Sequence, residues 1–101
     1  MMKVVWTQEA LNRLIEIEDY ISVDNPERAV KFVNNLINKG NSIAHFPQKG
    51  RIVPEFSIPE IREIIEKKYR IVYRIKNNRI EILTDFESHR LIRRKQIFTK
   101  K

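Results

Sequence analysis

Cysteine is absent from this 101-residue chain, which removes disulfides and thiolate metal sites and suits a reducing cytoplasm. Only two glycines occur, Gly40 and Gly50, too few for a glycine-rich phosphate loop. The only histidines, His45 and His89, lie far apart, so no metal-ligand spacing exists and neither a metal nor a cofactor is expected. No apolar run approaches the length of a bilayer-spanning helix, and Met1 to Trp6 lacks the long apolar core of a secretory signal. The expectation is a cytoplasmic protein with no membrane partner. Acid is missing from the end of the chain: residues 88–101 carry six basic side chains and no carboxylate.

What is present describes one globular domain over residues 1–101. Apolar residues make up 42% and charged residues 33%, a balance that excludes intrinsic disorder. The net charge is +7, and all of it falls in residues 51–101. A field so lopsided favours a polyanionic partner, whether RNA, DNA or an acidic protein, although a solvated basic tail has the same composition.

Lys3 to Trp6 is a short apolar run that predicts a first strand. Thr7 follows as a helix N-cap with Glu9 in the first turn, where the helix dipole favours an anion. Ala10, Leu11, Leu14, Ile15, Ile17 and Ile21 recur at helical spacing. Asn25-Pro26 breaks the pattern and restarts it, since asparagine caps well and proline suits the first helical position. Ala29, Val33, Leu36, Ile37 and Ile43 predict a second amphipathic helix ended by Pro47. Gly40 interrupts it, at an expected cost of about 1 kcal/mol relative to alanine. The two helices should form an antiparallel hairpin.

Gln48 to Arg51 is a turn, and Ile52 to Pro59 a proline-bounded connector. From Ile61 the period becomes two: Ile61, Glu63 and Ile65 face one way, Arg62, Ile64 and Glu66 the other. Lys67-Lys68 and Lys76 to Arg79 are turns, the second with asparagines that tolerate positive φ. In the last strand Ile80, Ile82, Thr84 and Phe86 oppose Glu81, Leu83 and Asp85. The central strand is Tyr69 to Ile75. Tyr69, Ile71, Tyr73 and Ile75 give it an apolar face, while Arg70, Val72 and Arg74 put two guanidiniums about 7 Å apart on the other. The expectation is that helices cover the first face and leave the second cationic and open. Ile64, Val72 and Leu83 are expected on that second side, covered either by Leu91, Ile92, Ile97 and Phe98 or by a partner.

Six fragments, in order, resemble the RelE/ParE superfamily, the toxins of type II toxin–antitoxin pairs. They are Val5-Trp6-Thr7-x-x-Ala10-x-x-x-Leu14, Asn25-Pro26-x-x-Ala29, Phe46-Pro47-x-x-Gly50-Arg51, Ile61-Arg62-Glu63-Ile64, Tyr69-Arg70-Ile71-Val72-Tyr73 and Ile82 to Arg90. The resemblance implies an α+β fold: an N-terminal strand and a helical hairpin on one face of a small, mostly antiparallel sheet. It implies a toxin that inhibits growth, serves plasmid stabilisation and is neutralised by a cognate antitoxin in a hetero-oligomer. The hairpin and the Ile61 to Ile64 segment look more like the ParE branch, which poisons DNA gyrase without being a nuclease. The RelE branch, which cleaves mRNA on the ribosome, is the alternative, and a degenerate, non-toxic binding module is a third.

Whether the chain is an enzyme is left open. RNA cleavage needs a base, an acid and stabilisation of the phosphorane's charge. Arg70 matches the family's phosphate-contacting arginine, with Arg62 or Arg74 assisting. Glu55 or Glu63 would be the base and His89 the acid, yet a salt bridge to a neighbouring arginine explains Glu63 more simply. No tyrosine follows Tyr73, and Glu87-Ser88 stand where many members carry histidine-glycine, both departures from RelE-type enzymes. For contact with a target or antitoxin, the candidates are Arg62, Arg70, Val72, Arg74 and Leu83, with His89, Arg90, Arg93 and Arg94 of the basic segment.

Overall fold

A computed structural model describes residues 1–87. The chain runs β1 (Lys3–Trp6), α1 (Gln8–Ser22), α2 (Pro26–Asn41), a 3₁₀ turn (Ser42–Ala44), β2 (Arg51–Ile52), β3 (Ile61–Glu66), β4 (Tyr69–Lys76) and β5 (Arg79–Glu87). The strands form one sheet in the order β1-β5-β4-β3-β2, which places β4 at its centre. Strand β1 runs parallel to β5, and the other pairings are antiparallel.

Local chemistry accounts for the helix ends. The Ala10 N–H donates to the Thr7 hydroxyl at 3.2 Å, and the Arg28 N–H donates to Asn25 Oδ1 at 3.0 Å. Pro26 occupies the first turn of α2, where a missing N–H costs nothing. The α-helix ends at Asn41, before the expected stop at Pro47. Ile43 and Ala44 instead belong to the 3₁₀ turn, which buries both.

Gly40 has a packing reason. A β-carbon built there would lie 2.6 Å from the Trp6 ring, and the Trp6 indole N–H donates to Asn41 Oδ1 at 3.0 Å. The glycine lets β1 and α2 approach through that ring. Gly50 is as crowded, 2.6 Å from both the Glu63 carbonyl and the Tyr73 hydroxyl for the same built atom. That hydroxyl accepts from the Gly50 N–H at 3.0 Å and donates to the Pro47 carbonyl at 2.7 Å, so one buried tyrosine ties the loop before β2 to the sheet. Burial raises the Tyr73 pKa above the usual phenol range, opposed by the Gly50 N–H and the charge of Arg62.

The helical hairpin covers one face of the sheet. Leu14, Ile17, Val33 and Leu36 pack there against Ile64, Ile71, Tyr73, Ile80 and Ile82. Each such burial contributes about 1.5–3 kcal/mol. Ile64 sits opposite Ile71 in the ladder and therefore lies on this helix side, not with Val72 and Leu83 as the sequence alone implied.

The turns divide by their chemistry. Asn77 and Asn78 both adopt positive φ, 51° and 63°, the geometry of a two-residue hairpin turn that asparagine accepts. Lys67 adopts φ 56° in the other turn, a conformation that costs a side chain on the order of 1 kcal/mol.

Strand β5 changes parity midway. Val72 pairs with Thr84 but Tyr73 pairs with Ile82, so Leu83 is an extra residue in a β-bulge. Before the bulge, Ile80 and Ile82 face the helices; after it, Phe86 turns to the opposite side with Leu83, and Asp85 turns towards α1. The expected alternation, with Phe86 beside Ile80 and Ile82, is therefore corrected. Thr7 braces the irregularity, its hydroxyl lying 2.8 and 3.1 Å from the carbonyls of Ile82 and Leu83.

Candidate functional site

The face of the sheet turned away from the helices carries most of the sequence-derived candidates that fall within the described residues. The ladder sets Glu63 opposite Val72, Arg70 opposite Phe86 and Arg74 opposite Glu81, so these side chains share that face. Arg62 pairs with Tyr73 and belongs to the other face, at the sheet's edge, where it donates to the Gly50 carbonyl at 2.9 Å. Arg62 and Arg70 are thus separated by the sheet, so the arrangement in which one assists the other is not formed.

This face is not the open cationic surface that alternation implied. Val53, Phe56 and Ile58 from the connector between β2 and β3 lie over Ile61, Val72, Leu83 and Phe86. Val53 and Val72 are fully buried. The chain's own connector thus supplies cover for the second side. Leu91, Ile92, Ile97 and Phe98, one of the two covers the sequence left open, fall outside the described residues, as do His89, Arg90, Arg93 and Arg94.

Arg70 is held beneath that cover, only 4% exposed. Its Nε donates to Glu63 Oε1 at 2.6 Å, and its two terminal nitrogens donate to the two oxygens of Glu55 at 2.9 Å each. The second pairing is a fork-to-fork contact, the strongest geometry open to a guanidinium. The guanidinium also lies 5.2 Å from the centre of the Phe86 ring. Glu63 is 1% exposed, and its second oxygen accepts from Arg51. The hydrogen bond to Glu55 holds the Arg70 pKa above its ordinary value, with burial opposing and Glu63 adding to the rise. The salt bridge expected for Glu63 is present, doubled.

Arg74 reaches Glu81 Oε1 at 2.7 Å, and Arg79 reaches the other oxygen of the same carboxylate at 2.7 Å. Burial acts to raise the Glu81 pKa, but the hydrogen bonds from Arg74 and Arg79 outweigh it and hold this carboxyl below its usual range. Here two cations share one anion, with side chains 27% and 47% exposed. Positive charge is therefore open at the β4–β5 end of the face, not at Arg70.

As chemistry, the Arg70 cluster is closed. Both oxygens of Glu63 are engaged by arginines, so taking a substrate proton would first require breaking an ion pair. Arg70 would have to release two carboxylates before gripping a phosphate. Among the described residues no group of His, Asp and Glu is placed to hold a metal ion. The sequence offered no signal for Arg51, Arg79 or Glu81 as partners, and Glu55 sits in a connector without periodicity.

A helical hairpin across one face of a five-stranded mixed sheet, with a self-covered second face, defines a small α+β domain. Over residues 4–91 the chain matches the model for the ParE toxin of the type II toxin–antitoxin system parDE. It is 35% identical over 89 residues to the Sinorhizobium fredii protein named "Putative toxin Y4kP", covering 86% of this chain and 88% of that one. It is 31% identical over 84 residues to "Toxin RelE2" of Caulobacter vibrioides, covering 82% of this chain and 91% of that one. Among solved structures, a chain of the chromosomal ParDE system from P. aeruginosa superposes with a TM-score of 0.73 at 27% identity, covering 86% of this chain and 96% of that chain. The chain belongs to the ParE toxin family of type II toxin–antitoxin systems, and membership implies an antitoxin partner. Among the described residues no helix is long and apolar enough to cross a membrane.

Proposed function

We propose that this toxin arrests growth by gripping DNA gyrase through protein contact, without cleaving RNA, and that a cognate antitoxin lays an acidic or amphipathic segment over the same surface. The observation that carries the reading is the closed state of Arg70, whose guanidinium is committed to Glu55 and Glu63. The ParE family match over residues 4–91 supports it independently. In this reading Arg74 and Arg79, at the β4–β5 end of the face, present the charge, together with His89, Arg90, Arg93 and Arg94 of the basic segment. Val72 and Leu83 provide the apolar floor beneath the connector. Glu63 and Arg70 hold the connector in place, and Arg62 holds the loop before β2.

The test uses purified toxin with gyrase and plasmid DNA. Accumulation of cleaved DNA that reverts when the antitoxin is added is the expected result. The second reading, ribosome-dependent mRNA cleavage by Arg70, Arg62, Glu63 and His89, draws support from the likeness to the Caulobacter protein named RelE2. It predicts new mRNA 5′ ends within codons in a translating extract and no effect on gyrase. Neither effect, with normal growth on induction, would identify a non-toxic binding module.

A further inference from the structure

A concavity lies on the helix side of the molecule, at the opposite end of the hairpin from the 3₁₀ turn. Its volume is about 590 Å³, within the range that accepts a small-molecule-sized ligand. The end of α1, the start of α2 and the β3–β4 turn form its walls.

Two kinds of side chain meet there. Arg28 and Lys31 project one helical turn apart on α2, and Lys67 and Lys68 form the turn opposite. Among the described residues, none of these four cations makes a salt bridge, in contrast to Arg70, Arg74 and Arg79. Among the described residues Asp24 is the only carboxylate lining the groove. Between the cationic walls lie three aromatic rings. Phe32 and Tyr69 pack with ring centres 5.2 Å apart at a tilt of 56°, and Tyr20 stands at the rim, 76% exposed. Lys67 keeps a long cationic side chain at φ 56°, where glycine would fit without strain.

Cations alone would suit any anion. Cations flanking one exposed ring, Tyr20, and two half-buried ones are a combination that grips an unpaired nucleotide, whose base stacks while its phosphates are neutralised. We propose that this groove binds a short unpaired stretch of nucleic acid. A base lies against Tyr20 and the Phe32–Tyr69 pair, and the flanking phosphates lie on Arg28 and Lys31 and on Lys67 and Lys68. The site is separate from the arginine face, and the proposal does not depend on which target that face engages.

The test is fluorescence anisotropy of the full chain with labelled oligothymidylate, an abasic oligomer of the same length and polyglutamate. Tyr20→Ala should weaken oligothymidylate about tenfold and leave the abasic oligomer unchanged. Lys67→Gly with Lys68→Gln, which relaxes the turn while removing both charges, should weaken both oligomers and reduce the salt slope by about 1.4. Arg93→Gln with Arg94→Gln controls for the basic segment and should spare the Tyr20 effect. Equal binding of oligothymidylate and the abasic oligomer, or no response to changes in the groove, would overturn the proposal. Polyglutamate binding that is lost with Lys67 and Lys68, with no preference for a base, would assign the groove to an acidic peptide instead.

Discussion

Single residues here are constrained by what lies directly against them, and propensity scales miss this. Helix propensity says that Gly40→Ala should gain about 1 kcal/mol. The new methyl would meet the Trp6 ring at 2.6 Å, and that ring is fixed by its bond to Asn41. Overpacking of this kind costs about 1–3 kcal/mol. The change should therefore lower the denaturation midpoint, and a rise would show that Trp6 moves freely. Asp85 carries a different tension. It is 1% exposed, neither oxygen finds a donor among the described residues, and burial pushes its pKa up to about 8 despite Arg13 nearby on α1, with Glu9 adding to the rise. A carboxyl raised in the folded state contributes stability that is full below the unfolded value and is lost as pH climbs from about 4 to about 8. Asp85→Asn should remove that loss. Its stability advantage over the parent, measured by urea unfolding, should grow from pH 5 to pH 8; an advantage independent of pH would show the carboxyl is not buried neutral.

Among the elements, the connector and β5 were the least legible in the sequence, for physical reasons. Both helices follow from their caps, Thr7 and Asn25, and from apolar spacing, and the Asn77-Asn78 turn from asparagine's tolerance of positive φ. Strand β2 spans only two residues, too few for any period to show. The bulge at Leu83 contains no glycine to mark it, so unbroken alternation puts Thr84, Asp85 and Phe86 on the wrong faces. The connector has no alternation, and Glu55 gives no sign that its target is Arg70 on the sheet beneath it. Removing one member of a buried charge pair strands the other, at a cost of about 3–5 kcal/mol. Arg70→Ala should therefore destabilise the domain by that order in chemical unfolding. Glu55→Ala should cost distinctly less, because its side chain keeps 20% exposure and Arg70 retains Glu63. Equal losses would place the connector's anchor at Glu55.

On the scale of the molecule, charge is organised by pairing. Residues 1–87 carry 14 basic and 13 acidic side chains, so nearly all of the +7 resides in residues 88–101. The described domain is close to neutral overall, with Arg70 paired internally and four cations without a salt bridge among the described residues, Arg28, Lys31, Lys67 and Lys68, lining the groove. An interaction run through the basic segment should weaken steeply with salt, whereas domain stability should not, since the Arg70 cluster is shielded from the ionic atmosphere.

The claim on which the functional account rests is that the Arg70 guanidinium holds the fold and not a phosphate. Replacing a buried ion pair by apolar side chains of similar volume is often neutral for stability, so Glu63→Met combined with Arg70→Met should give a folded protein without that guanidinium. Growth arrest on induction of this folded double variant is the direct measurement. The account predicts arrest comparable to the parent toxin. A variant that folds normally yet leaves growth untouched would contradict it and return Arg70 to the chemistry.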